Sequence, residues 1–436
     1  MKPIICLLVV LTLFAARHRV AAQVAFKLAS SPGVSSPVQS ITTADVNGDG
    51  KPDLIAALRT ASSVTVFTNS GNGLFVSNAS YAVGTFPYQV IAADVNDDGW
   101  PDLITANNTS SSLTVLTNDR NGGFVLAAAI TNMPSQPQSV AAADINGDGK
   151  LDLISANWAM DSITIWTNSG GGTFVSNATY NVGTTPSFVM AADVNGDGKP
   201  DLLVAIASQL SVLTNNGSGG FALASSPYLG GGPTWITAAD VYGNGRTEFI
   251  VTAFYLSRRQ FLVFTNKGAG VLDFTAHYAA GSGTIAVVAV DVNGDGMVDL
   301  VAPDQSADLL VLTNTGTGVF GFDTTLTVDS GPVSIVAADV NGDGLVDLIS
   351  GNSTAGTLTV LTNTGVFRPR LALKRSGANV IVTWPVSWTN WTLRQNAGLD
   401  PADWTSFSGP VGNDGAIKSA TNSAPVDNRF FRLSYP

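Results

Sequence analysis

Three kinds of side chain are nearly missing from this 436-residue chain. Cys6 is its only cysteine, His18 and His277 its only histidines, and Glu248 its only glutamate beside 31 aspartates. Cys6 and His18 fall in the first 22 residues. The rest therefore offers no disulfide, thiolate nucleophile or Cys/His zinc site, and one histidine for a triad or general base. Basic residues are also scarce: 21 Lys and Arg, nowhere in a run, against a net charge of −11. No nucleic-acid partner is expected, because such a partner needs a basic face to displace counterions.

Long apolar runs are missing except at the start, where Met1 and Lys2 precede an apolar stretch over residues 3–16. Val20-Ala21-Ala22 then supplies the small residues of a cleavage site before Gln23, so residues 1–22 read as a secretory signal peptide. Arg17-His18-Arg19 between the two keeps an uncleaved anchor as the rival reading. No later segment approaches the ~18 apolar residues of a membrane span, so none is expected after signal removal.

What is present is a repeat. The segment 45–53, Asp-Val-Asn-Gly-Asp-Gly-Lys-Pro-Asp, returns starting at Asp94, Asp144, Asp193, Asp240, Asp291 and Asp339, at intervals of 49, 50, 49, 47, 51 and 48 residues. A second marker, Thr-Asn followed closely by Gly, recurs out of phase at Asn69, Asn118, Asn168, Asn215, Asn266, Asn314 and Asn363. Between markers run short β-branched or small-residue segments bounded by Gly, Asn, Asp or Pro. In the third unit they cover residues 138–143, 151–156, 162–167 and 172–180, termed strands A, B, C and D. Four strands per ~49 residues, seven times over, predict an all-β fold with a seven-bladed β-propeller over residues 23–367. A linear β-solenoid is the alternative. Strand A is alanine-rich, which suits an innermost strand where seven sheets converge.

Residues 24–30 (VAFKLAS) resemble strand D in residues 221–225 (FALAS), while the seventh unit runs out after strand C. The N-terminal strand is thus expected to complete the last blade as a latch; residues 370–374 are the rival. From about Arg368 the composition changes: four of the eight tryptophans (Trp384, Trp388, Trp391, Trp404) lie there, among eight basic and four acidic residues. Residues 368–436 are predicted to form a small β-sandwich domain.

The propeller then carries 10 basic and 28 acidic residues, and 21 of the latter sit in the seven nine-residue loops. In D-x-N-x-D-G-x-x-D, side-chain oxygens at positions one, three, five and nine and the backbone carbonyl at seven can converge on one ion if the glycine at six permits the reversal. In loop order the candidate ligands are Asp45, Asn47, Asp49, Lys51 (carbonyl) and Asp53; Asp94, Asn96, Asp98, Trp100 (carbonyl) and Asp102; Asp144, Asn146, Asp148, Lys150 (carbonyl) and Asp152. They continue with Asp193, Asn195, Asp197, Lys199 (carbonyl) and Asp201; then Asp291, Asn293, Asp295, Met297 (carbonyl) and Asp299; and Asp339, Asn341, Asp343, Leu345 (carbonyl) and Asp347. Oxygen-only ligands on a loose multidentate loop select Ca²⁺, giving about six sites. No Glu stands at position twelve, so an EF-hand sensor fits poorly; Asx-turns that only shape hairpins are the competing reading. The loop at Asp240 has Tyr242, Asn244 and Arg246 where ligands belong, and is expected to be weak or empty. Asp97 replaces a glycine in the second loop.

These loops, with Gly-x-Phe turns such as Gly172-Thr-Phe174 and Gly219-Gly-Phe221, resemble FG-GAP/VCBS repeats, the family of the integrin α-chain propeller and of bacterial secreted proteins. The resemblance covers about residues 24–367 and implies a seven-bladed propeller with Ca²⁺ in the A–B loops. The tail, ending Arg429-Phe-Phe-Arg432-Leu, resembles small C-terminal β-sandwich modules of bacterial secreted proteins.

Strand alternation places A–B and C–D loops on one face and B–C and D–A connections on the other. The second face gathers the candidate partner-binding residues Phe86, Tyr88, Trp158, Trp235, Tyr255, Arg258 and Arg259. Aromatics with Arg suit sugar stacking or a protein hot spot. The expectation is a secreted or cell-surface, non-catalytic binding or adhesion module for an extracellular protein or polysaccharide. The alternatives are a propeller of a carbohydrate-active protein, lectin-like or lyase, with His277 as the only histidine base, and a purely structural scaffold.

Overall fold

The structure, a computed structural model, describes residues 24–131, 133, 136–255, 258–365, 372–376, 379–385, 392–396, 405–413, 417–422 and 430–434. The signal-peptide segment 1–22, Trp388, Trp391 and Trp404 lie outside them. Seven four-stranded antiparallel sheets form from the repeat, and strand A of each touches strand A of the next, blade seven meeting blade one, so the ring is closed. In blade three the strands are Pro137–Ala143, Asp152–Asn157, Ser162–Asn168 and Phe174–Asn181, within one or two residues of the expected runs.

Burial explains the composition of each strand. Strand B of blade one (Asp53–Leu58) is buried at every position, because it is covered on both faces. Leu54, Ala56 and Leu58 pack with Ile349, Leu358 and Val360 of blade seven, while Ile55 and Ala57 pack with Val90, Leu103 and Leu116 of blade two. Alternate side chains thus feed two cores, and the strand reads as an unbroken apolar run. Strand D, at the rim, alternates instead, and the C-terminal half of strand A is half-buried small residues facing the axis.

The latch is present. Phe26–Ser30 pairs antiparallel with strand C of blade seven, Thr357–Asn363, with Phe26 opposite Asn363 and Leu28 opposite Leu361. Val24 and Phe26 enter the core between blades six and seven. The rival strand, Ala372–Ser376, pairs with Asn379–Pro385 instead.

Beyond the ring, Ala372–Ser376, Asn379–Pro385, Ile417–Asn422 and Val411–Asn413 form one small sheet. Thr405–Ser406, Thr392–Asn396 and Phe430–Ser434 form another. Val382, Trp384 and Ala420 of the first share one apolar cluster with Leu393 of the second. Among the described residues no helix is long and apolar enough to cross a membrane.

Candidate functional site

Each Asp loop is curled around its own first carboxylate. In the first, Asp45 Oδ1 accepts the N–H groups of Gly48 (2.7 Å) and Asp49 (3.2 Å), Oδ2 accepts that of Gly50 (2.8 Å), and Asn47 Oδ1 accepts that of Asp49 (2.9 Å). Gly50 holds the reversal at φ 80°. Asp97 takes a left-handed conformation, φ 60°, and is exposed, so it faces solvent. Asp49 pairs with Lys51 at 3.0 Å and Asp98 with Arg120 at 3.2 Å. Such exposed pairs contribute little.

The ninth position has a role that the sequence reading missed. Asp53 is fully buried; its Oδ2 accepts the N–H of Val46 in its own loop and its Oδ1 that of Asn69 at the end of strand C. Asn69 Nδ2 in turn donates to Val340 C=O of the preceding blade (2.9 Å) and to Pro52 C=O. The same interblade bond joins Asn118 to Val46, Asn168 to Val95, Asn215 to Ile145, Asn314 to Val241 and Asn363 to Val292. Asp, Asn and the loop residue at position two thereby form a buried polar belt around the ring. Its one gap is between blades four and five, where Glu248 Oε2 still holds Val241 N–H but half-buried Asn266 makes neither bond among the described residues.

Burial pushes Asp102 and Asp347 up to about 6 and Asp299 up to about 7, the carboxylates at positions one and five adding to the effect. Such a group keeps its proton in the fold where the unfolded chain has lost it, so stability falls as pH rises from about 4 to about 7. In excess chelator the melting temperature should therefore be higher at pH 5 than at pH 7; a lower value at pH 5 would contradict the assignment.

The donors at positions one, three, five and nine are all oxygen, chemistry that suits a hard divalent ion. The ninth carboxylate, however, is turned toward strand C, and among the described residues no three His, Cys, Asp or Glu side chains stand together as a metal-holding group. The loop at Asp240 keeps the fold with another residue set: Asp240 accepts the N–H groups of Asn244 (3.0 Å) and Gly245 (2.6 Å).

On the opposite face the expected partner-binding residues do not form one patch. Tyr88 and Trp235 meet at the axial opening. The Phe86 ring is covered by the Arg59 guanidinium, 4.1 Å from its centroid. Trp158 stands on the B–C loop of blade three, 39% exposed. Tyr255 packs on Phe274 and His277 of its own blade, Arg258 is exposed at the start of strand C, and Arg259 is tied by Nη1 to Gly232 C=O at 3.0 Å. His277 is exposed, stacks on Phe274, and makes no hydrogen bond among the described residues.

A closed ring of four-stranded antiparallel sheets with one acidic loop per blade defines a β-propeller. The FG-GAP-like repeat model matches residues 45–105, 94–155, 144–204, 193–251, 240–302 and 291–350, and the chain belongs to this family. Among solved structures it is similar to BBS1N in its complex with ARL6DN, at 13% identity and TM-score 0.58, covering 78% of this chain and 97% of that one. It is also similar to a protein from Lactobacillus plantarum, at 14% identity and TM-score 0.53, covering 68% and 86%. At these identities the likeness is one of fold. No curated protein matches the sequence.

Proposed function

We propose that the protein is a secreted or cell-surface binding module without catalysis, its ring loaded with Ca²⁺ through the six intact loops and its opposite face engaging an extracellular protein or polysaccharide. One observation carries the calcium reading: the loop at Asp240 keeps its backbone bonds with Tyr242, Asn244 and Arg246 in place of ligands. Shape alone therefore does not demand the carboxylate at position five, and charge concentrated in the other six loops calls for a counter-ion. Positions one, three, five and nine would hold it, with the carbonyl at seven. Bound ion would supply compensating charge and couple to folding.

Melting in millimolar Ca²⁺ should exceed that in chelator by many degrees, while Asp240→Asn leaves the difference unchanged. Equal melting temperatures would remove the calcium reading. The binding reading draws support from the charge-poor axial opening and, for protein partners, from the propeller relative BBS1N being in complex with ARL6DN. Protein and glycan arrays probed with the whole chain test it, and no reproducible ligand on either would overturn it. A lyase reading would rest on His277, whose side chain among the described residues stacks on Phe274 and lies beside Tyr255 without a hydrogen bond.

A further inference from the structure

At the end of the ring away from the Asp loops, the mouth of the axial channel is a cavity of about 80 Å³ to which all seven blades contribute. The contribution is regular. The residue six positions before each loop's first Asp, from Gln39 in blade one to Val333 in blade seven, is half-buried and lines the opening. The next residue is buried in every blade but the fifth, where Trp235 is half-buried, and in blades seven, one, two and three its side chain accepts a backbone N–H of the following blade: Gln89 Oε1, for example, accepts Val140 N–H at 2.7 Å, and its Nε2 has no partner among the described residues. In blades four and five that position is aromatic, Phe188 and Trp235 packing with ring centroids 4.5 Å apart, and in blade six it is Ala286.

The lining divides into an aromatic wall and an amide wall. Gln39, Gln138 and the Tyr88 hydroxyl make no hydrogen bond among the described residues, so the second wall offers donors and acceptors without a partner there. None of the lining side chains is charged, in a chain of net charge −11. An ionised ligand would lose its hydration there without a counter-charge, and an anion would also meet the field of the protein. A neutral ligand avoids both costs. Amides and a phenol pointing inward from several blades match hydroxyls spread around a saturated ring better than the single edge of a planar base. The Trp235 side suits the C–H face of such a ring.

We propose that this axial pocket binds one terminal unit of an uncharged carbohydrate, with Trp235 as the stacking wall and Gln39, Gln138 and Tyr88 as hydroxyl partners. This rests on the reading of that face as the binding surface and narrows it to one ligand class. Because all seven blades surround the cavity, a chain has no way across it and only its end can enter.

The test uses the full chain in Ca²⁺ buffer with methyl glycosides of neutral hexoses and N-acetylhexosamines, and the matching hexuronates, followed by saturation-transfer NMR and tryptophan fluorescence. At least one neutral glycoside should bind and the uronates should not. Gln138→Leu, at a half-buried side chain with no hydrogen bond among the described residues, should weaken binding about tenfold with the melting temperature unchanged, as expected for a lost hydrogen bond and its unpaired ligand hydroxyl. Tyr88→Phe should weaken it less. Binding unaffected by both substitutions, or stronger binding of uronates, overturns the pocket assignment and leaves the binding module standing. Protein ligands on the array without any neutral glycoside overturn the carbohydrate inference alone; silence on both arrays removes the two together.

Discussion

A chain lacking residues 24–31 should lose the cooperative unfolding of the ring. These residues supply the outer strand of blade seven, paired from Phe26 opposite Asn363 to Ser30 opposite Val360. Val24 and Phe26 also fill the core that holds Val292, Val301, Leu309 and Leu361. Losing the burial of Val24 costs roughly 1.5–3 kcal/mol, and half-buried Phe26 adds to it. Connections beyond the strand itself go too: Thr364 N–H donates to Ala25 C=O, and Ser30 Oγ to Gly73 C=O of blade one. The exposed edge of strand Thr357–Asn363 then becomes a template for pairing with other chains. The expected result is an unfolding free energy lowered by several kcal/mol and hence a lower denaturation midpoint, with concentration-dependent aggregation. A synthetic peptide covering residues 24–36, added in trans, should restore the midpoint. A truncated chain that unfolds like the parent would show that blade seven does not need its fourth strand.

How far the sequence revealed this molecule depends on whether a feature is local or formed by closure. The 49-residue period and the Asp loops are local, since the bonds to each loop's first carboxylate span at most five residues, as with Asp45 and Gly50. Residues 24–30 could be recognised because a rim strand carries the same short pattern wherever it sits in the chain. The interblade bond was not legible. Asn69 was visible as a turn marker, and its Oδ1 does accept Gly71 N–H, but the acceptor of its Nδ2 is Val340, 271 residues away. Closure also brings Tyr88 and Trp235 into one pocket while leaving Trp158 on blade three and the paired Tyr255 and Arg258 on the B–C connection of blade five. Gln39, Gln138 and Phe188 were missed because amides and a lone phenylalanine carry no motif. Their signal was the constant offset from the first Asp of each loop, which acquires meaning only once the strands are known to point at one axis.

The second large effect concerns the belt. Asn168→Ala should destabilise the protein by about 2–4 kcal/mol, because it strips the side-chain donor from two carbonyls, Val95 of blade two and Leu151 of blade three, and each buried orphan costs about 1–3 kcal/mol. Asn168 is 2% exposed, so water cannot easily substitute. Asn168→Asp should be worse, since it places a second buried carboxylate next to Asp152, whose Oδ1 accepts Asn168 N–H at 2.7 Å. The molecule contains its own control: Asn266 stands at the equivalent point of blade five without either bond, so Asn266→Ala should cost well under about 1 kcal/mol. Chemical denaturation of the three variants, with and without Ca²⁺, separates this bond from the metal question, because Asn168 contributes no expected ligand and its penalty should persist in chelator. Equal losses at Asn168 and Asn266 would mean that the asparagines act only through their turns. A large loss at Asn168 alone would establish the Asn–carbonyl bond as what joins one blade to the next, and would mark the junction of blades four and five as the place where the ring opens first.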